Sequence, residues 1–420
     1  MAILSGVQNE NRTMRIFTGL GMILIVAGHL TAPIFDLGDL FPYYSFHVFI
    51  FLFVSGYFYN SENEKRILGF ALDKAKKLLV PYMIFNVLYG ILSTILNLNE
   101  IFVGDSISIW NLLVAPFLGG HQFMFNSPAW FVVALFCVEI IDIFVRVCGK
   151  KVLGFLNDDH RREVVLDFAL LIIYLILGMI TIKLSIDGHV WGYYKTPGRL
   201  LIMLPGFALG RVYKSSIQSK VRGFVSFVLG KAPERINGSF AKGILLGLYF
   251  SVIILLQLII KRNCGGLSIS VVWCTSFANG PVIPYITVMT GMGMWYGIAS
   301  VISSFMDRFA GVRKLLNCIL LVGRHSYSVM THHLFILFVI NTIFMLVCRA
   351  NGQLIFEEMA VQGTKLFDYY AYSRDITYQY EYLGSVGTRL VNLIICVSIP
   401  TLLAHLIFLL KKSKCGKISS

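Results

Sequence analysis

The sequence predicts an all-α, polytopic membrane helix bundle of about ten transmembrane helices, with the N-terminus and C-terminus both cytoplasmic. Three observations carry this. Of 420 residues, 56% are hydrophobic and only 14% are charged, where a soluble domain carries roughly 25% charged residues. The mean hydropathy is +0.73. Ten apolar runs are long enough, or nearly so, for the roughly 20 residues that one crossing needs.

The runs fall near 16–35, 43–60, 78–98, 129–148, 164–184, 199–213, 240–260, 284–306, 325–347 and 389–410. The first is too long for a signal peptide and no small-residue cleavage site follows it. With the N-terminus inside, 27 of the 36 Lys and Arg fall in cytoplasmic segments, as the positive-inside rule requires. One missed span would scramble that bias, so it supports the count as well as the direction. The net charge of +14 is therefore mostly topology. It is spread over loops and termini, not gathered on one face, which argues against a nucleic-acid partner. Membrane lipids are the expected surroundings. No internal repeat stands out, and one membrane domain is expected to fill 1–420.

The eight cysteines form no CxxC pair and no metal-ligand spacing, so no metal is expected. Most read as small apolar packers. Cys264 and Cys274 share an expected outside loop and form the one candidate disulfide.

Ionisable groups at membrane depth are costly and mark functional sites or paired groups. In the first span, His29 lies fourteen residues after Arg15, about 21 Å along a helix, which puts it in the outer half. Leu-Thr-Ala-Pro follows it and signals a helix end. The second span, "FHVFIFLFVSGY", opens on His47 near the outer surface and carries Ser55 and Tyr57 deeper. His47 reads equally as a helix–helix hydrogen-bonding group. In the fourth span, Glu139 and Asp142 share a face, as a carboxylate pair or as hydrated groups at its inner end. In the ninth span, His332 and His333 point about 100° apart, so only one can face a given cavity, with His333 near the midplane. His405 in the last span has no polar neighbour at helical spacing and reads as packing. The outside loop from Arg349 to Arg389 holds Tyr369, Tyr370, Tyr372, Tyr378, Tyr380 and Tyr382. It reads either as a sugar-stacking surface or as an interfacial aromatic belt.

Six segments in order resemble acyltransferase family 3, integral membrane acyltransferases that include O-acetyltransferases of bacterial surface polysaccharides. They are "LIVAGHL" with His29, "FHVFIFLFVSGY" with His47 and Ser55, "KKLLVPY", "PAWFVVALF" with Trp130, "RLLIMLPGFALG" with Arg199, and "VGRHSYSVMTHHLF" with Gly323, Ser326 and His333. The resemblance implies acyl transfer from acetyl-CoA to a hydroxyl of a sugar or polysaccharide acceptor, in the cell membrane. On that reading, His29, His333 and Ser55 are the candidate catalytic residues, with His29 as the base. Arg15 and Arg199 are candidates for holding acetyl-CoA. His47, Tyr57 and Trp130 are candidates for contacting substrate.

Two positions depart from the family pattern. Thr18 stands where a basic residue usually precedes the first-span histidine by eleven residues, and Arg15, one turn earlier on nearly the same face, is the expected substitute. Phe49 stands where Pro is common. A transporter or flippase without acyl-transfer activity would place polar groups along a bundle equally well. The lack of a paired inverted repeat weighs against it.

Overall fold

A computed structural model of the chain describes residues 11–30, 35, 37–155, 158–230, 238–264, 269–272, 274–275, 277, 279–355, 367–378 and 386–418. Each of the ten expected spans falls on a helix. These are α1 (Arg12–His29), α2 (His47–Tyr57), α4 (Val80–Asn97), α7 (Trp130–Val152), α8 (Asp159–Ile186), α9 (Lys195–Val212), α11 (Gly238–Cys264), α12 (Ile283–Arg308), α14 (Ser326–Ala350) and α16 (Val386–Ile418). Six helical stretches, those holding α4, α8, α11, α12, α14 and α16, are long and apolar enough to cross a membrane. The other four are short or interrupted by charge. α2 has 11 residues, α7 carries Glu139, Asp142 and Arg146, α9 carries Arg199 and Arg211, and α1 carries Arg12 and Arg15. Three of them, α1, α2 and α9, are buried along most of their length. Inner helices can hold polar residues because protein, not lipid, surrounds them.

Local signals set the helix boundaries. Asn11 caps α1 by accepting from the Met14 N–H at 3.3 Å, and Asp158 caps α8 by accepting from His160 and Arg161, as N-cap side chains do. Pro81 sits in the first turn of α4, and the wide π-turn Ala75–Leu79 precedes it. The shorter helices are α3 (Ile67–Lys74), α5 (Ile109–Leu113), α6 (Ala115–Leu118), α10 (Gln218–Gly230), α13 (Ala310–Arg324) and α15 (Tyr369–Tyr372), and two two-residue strands, β1 (Leu354–Ile355) and β2 (Phe367–Asp368), pair in parallel.

The chain groups into two compact units. The first comprises Met1–Phe35, Lys77–Val133 and Ser303–Ser420; the second comprises Asp36–Lys76 and Ala134–Ile302.

In the first unit α1 crosses α13 where Gly19 meets Ile319 and Gly323 meets the Arg15 carbonyl. Sequence reading places α13 in a cytoplasmic loop; the structure makes it a helix packed on α1. A second difference concerns 99–128, expected as an outside loop. Its start meets the C-terminal end of α4, where Asn97 donates to the Gly104 carbonyl at 2.9 Å. Its end returns to that start, with the Gln122 carbonyl accepting from the Asp105 N–H at 2.7 Å, and the Gln122 side chain reaches down to the Tyr82 and Asn86 side chains. The segment therefore re-enters alongside the last turns of α4. Irregular backbone at that depth is tolerated only where protein buries it; Phe123, Phe125, Asn126 and Ser127 are all buried.

The expected tyrosine-rich loop is also partly structural. Tyr372 is buried and stacks on Phe338 at 5.5 Å, and its hydroxyl meets Thr342 at 2.7 Å. Tyr378 packs on Phe367, and the Arg374 guanidinium lies 3.8 Å from the centre of the Tyr370 ring. Tyr372, Phe338 and Phe367 build an aromatic core with Tyr89, Phe123 and Phe125, and Tyr378 packs against it. Tyr380 and Tyr382 lie outside the described residues.

In the second unit α2 packs on α9 at backbone contact. A Cβ on Gly56 would fall inside the van der Waals shell of the Phe207 carbonyl, and one on Gly210 would meet the Phe53 carbonyl. Small residues allow such approaches between membrane helices. Cys264 and Cys274 are free thiols, which corrects the candidate disulfide. The Cys274 thiol is buried instead against the Lys195 carbonyl at 3.4 Å, and burial pushes its pKa up to about 11 despite the nearby Arg199 and Lys195 charges.

Candidate active site

In the first unit, α1 ends on His29 and α14 presents His333 two turns after its start. Their rings lie 5.0 Å apart, centre to centre. His29 Nδ1 is 2.9 Å from the Ile25 carbonyl and 3.3 Å from His333 Nε2. His333 Nδ1 is 2.8 Å from the Val329 carbonyl.

The two carbonyls fix the tautomers, since a carbonyl only accepts. His333 carries its proton on Nδ1, which leaves Nε2 as an acceptor. His29 likewise carries its proton on Nδ1 and shares it between the Ile25 carbonyl and His333 Nε2. The lone pair of a neutral His29 is then on Nε2. When that nitrogen takes a proton, both acceptors remain in place against the imidazolium. This is the arrangement of an oriented general base.

Of the adjacent histidines only His333 meets His29. His332 turns to Tyr89, whose hydroxyl lies 2.7 Å from its Nδ1. His405, read as packing, lies edge-on to His325 at 5.5 Å, a pair with no signal at helical spacing because 80 residues separate its members. Trp130 opens α7 and is buried beside His121. Arg15 is half-buried on α1, fourteen residues from His29, while Thr18 turns its hydroxyl back to the Met14 carbonyl at 2.9 Å.

A group of carboxamides lies lower in the same unit, and sequence reading missed it. Gln122 donates to Asn86 Oδ1 at 3.2 Å and to the Tyr82 hydroxyl at 3.4 Å; Asn126 donates to Asn86 Oδ1 at 3.5 Å; Asn86 donates to the Asn111 carbonyl at 3.5 Å. The side chains of Gln122, Asn126, Asn86 and Tyr82 are all buried. Gln122 Oε1 and Asn126 Oδ1 are buried without partners. Leaving one such group unpaired costs about 1–3 kcal/mol. Asn86 was legible as a polar residue in an apolar run, but Gln122 and Asn126 belonged to a segment assigned to the outside.

The second unit holds the other candidates. Ser55 donates to Glu139 Oε1, which also receives Lys74 Nζ at 2.7 Å; Glu139 is 2% exposed. Asp142 instead binds Arg211 and accepts from Tyr174 at 3.1 Å. Glu139 and Asp142 are therefore two separate ion-paired carboxylates, not one carboxylate pair. Arg146 is buried among Glu64, Glu163 and Asp167, and Lys150 binds Glu64 at 2.6 Å. His47 opens α2 with its ring on the Tyr43 carbonyl and edge-on to Tyr44 at 5.4 Å. Tyr57 donates to Gln218 at 3.2 Å. Arg199 is buried near the start of α9, twelve residues from Arg211 at its other end.

These features define a class: a multi-pass helical membrane protein with an oriented imidazole on an inner helix. A family model described as an acyltransferase domain matches residues 16–356. The chain belongs to that family, acyltransferase family 3, and is a membrane acyltransferase. No curated protein and no solved structure matches it.

Proposed function

We propose that this chain is an O-acetyltransferase of the cell membrane that moves an acetyl group from acetyl-CoA to a hydroxyl of a surface or exopolysaccharide sugar. The observation that carries it is the doubly accepted Nδ1–H of His29, which leaves Nε2 as the basic nitrogen. The acceptor hydroxyl oxygen attacks the thioester carbonyl carbon while its proton passes to His29 Nε2. The tetrahedral intermediate collapses, the carbon–sulfur bond breaks, and the proton passes from His29 to the departing thiolate. An O-acetyl ester and CoA result. His333 acts as a positioning residue through the Nδ1 side of His29.

The test compares acetyl transfer from labelled acetyl-CoA in membranes holding equal amounts of each variant. His29→Ala is expected to lose about 10²–10⁴-fold, the range for a general base. His333→Leu should lower kcat with little change in KM for acetyl-CoA. His333→Gln, which restores an acceptor oxygen, should recover part of it. Near-normal transfer by His29→Ala removes the base assignment. Absence of CoA release by the wild-type chain with polysaccharide present favours the transporter reading instead.

A further inference from the structure

α14 offers two adjacent histidines, His332 and His333, about 100° apart around its axis. Which of them faces α1 depends on how α14 is rotated. The bonds from His29 Nδ1 to the Ile25 carbonyl and from His333 Nδ1 to the Val329 carbonyl lie within their own helices. Such bonds turn with the helix and leave its rotation open. His332 differs. Its Nδ1 leaves α14 and lies 2.7 Å from the Tyr89 hydroxyl on α4.

The surroundings of that bond form a socket on α4. Phe85 and Tyr89 are four residues apart and share a face of α4. The Phe85 ring stands edge-on to the His332 ring at 4.6 Å. Phe335, three residues after His332 and on the same face of α14, packs on the Tyr89 ring at 5.8 Å, and Phe125 packs on it at 5.6 Å. Ser328, Asn341 and Thr342 also bond off α14, five to nine residues from His333; the Tyr89 bond is at the neighbouring residue. Turning α14 by one residue, so that His332 faced α1, would give up the Tyr89 bond and the Phe85 contact together. It would leave a hydroxyl that is now buried without a partner in an apolar span, which is costly. All of these residues lie in the first unit.

We propose that Tyr89 is a positioning residue for the acyl transfer: through His332 it sets the rotation of α14 that turns His333 toward His29. This rests on His29 being the base. Ring contacts tolerate a small rotation, whereas a hydrogen bond of 2.7 Å weakens steeply once its angle is lost. The bond therefore decides which of two adjacent imidazoles meets His29, and the rings around it supply the packing.

Steady-state acetyl transfer is measured for Tyr89→Phe, which keeps the ring and removes the hydroxyl, for His332→Leu, for the two together, and for His332→Asn, whose amide takes the place of Nδ1 and pairs with the hydroxyl. Tyr89→Phe and His332→Leu are each expected to lower kcat about threefold to twentyfold, the range for one hydrogen bond between membrane helices, with KM for acetyl-CoA unchanged. The double variant should be no slower than either. His332→Asn should keep most of the wild-type kcat and lose it when Tyr89→Phe is added. A second measurement needs no activity. In a chain with its native cysteines replaced by serine, His29→Cys and His333→Cys are bridged by a short bis-methanethiosulfonate reagent, and adding Tyr89→Phe should slow the bridging by a similar factor. A Tyr89→Phe chain with wild-type kcat and wild-type bridging overturns the proposal. So do kcat losses that multiply in the double variant. So does less folded protein with wild-type bridging in what remains, which makes the contact one of stability alone. Near-normal transfer by His29→Ala removes the base instead, a distinct result, and the bridging arm still decides whether Tyr89 holds α14 in place.

Discussion

At Thr18 the family's usual cation is missing, and the threonine hydroxyl bonds its own helix at the Met14 carbonyl instead. Arg15 is the nearest basic side chain on that face, three residues earlier. It sits about 21 Å from His29 along α1, too far to touch the reacting atoms; on the proposed acetyl-CoA reading it is the candidate for the far, anionic end of the donor. The expected outcome is a raised KM for acetyl-CoA in Arg15→Gln and a smaller rise in Arg15→Lys, because an ammonium lacks the bidentate fork of a guanidinium. Thr18→Arg added to Arg15→Gln should restore activity. A simple membrane anchor predicts otherwise: Arg15→Lys silent, and no rescue from Thr18→Arg. Steady-state kinetics on the three variants decide between them. The family resemblance together with helix spacing singles out Arg15, whereas nothing in the sequence signals the partnership of His29 with His333. Each histidine announced itself by its cost in an apolar run, but 304 residues separate the two, and no helical period connects them.

Three of the inner helices are the ones that look least like membrane spans. α1, α2 and α9 are short or charged, and they are buried. Hydropathy finds lipid-facing helices, so it ranks these last. Polar side chains alone do not fix their packing; glycine does. At the α2–α9 crossing the Gly56 and Gly210 backbones touch the partner helix, with no room for a Cβ. Gly56→Val must push the helices apart, which forfeits dispersion contacts along the whole seam and loosens Ser55 from Glu139. The expected outcome is little folded protein, seen as aggregation on size-exclusion chromatography in mild detergent. Gly188→Ala, in a turn with open space around it, changes only local backbone strain and should elute as wild type. The "SGY" at the end of the second span is therefore partly a packing signal: Ser55 bonds a carboxylate, Gly56 lets the helix close, and Tyr57 bonds Gln218.

For the whole molecule, hydropathy located ten helices and charge bias assigned their direction. Neither could see what lies between spans. Charge counting treats 99–128 as one outside loop, because it holds only Glu100 and Asp105 as charged residues. The structure divides it. Ser106 is exposed near the C-terminal end of α4, while Gln122 is buried against Tyr82 and Asn86. This gives a test of orientation and re-entry together. In a chain with its native cysteines replaced by serine, single cysteines are placed at 106, 122 and 412 and exposed to a membrane-impermeant maleimide on intact cells. With the N-terminus inside, Ser106→Cys is labelled from outside and Lys412→Cys reacts only after the membrane is opened. Gln122→Cys stays unlabelled in both cases until the protein is denatured, because protein and not the bilayer shields it. Labelling of 412 but not 106 on intact cells would invert the whole arrangement, since each reverses with the other. Equal outside labelling of 106 and 122 would leave the direction intact and remove the re-entrant segment, and with it the buried amides that the segment carries to α4. The two errors are thus separable in one experiment. The reason is physical: direction is set by cations at the membrane surfaces, whereas re-entry depends on polar groups finding partners within the protein.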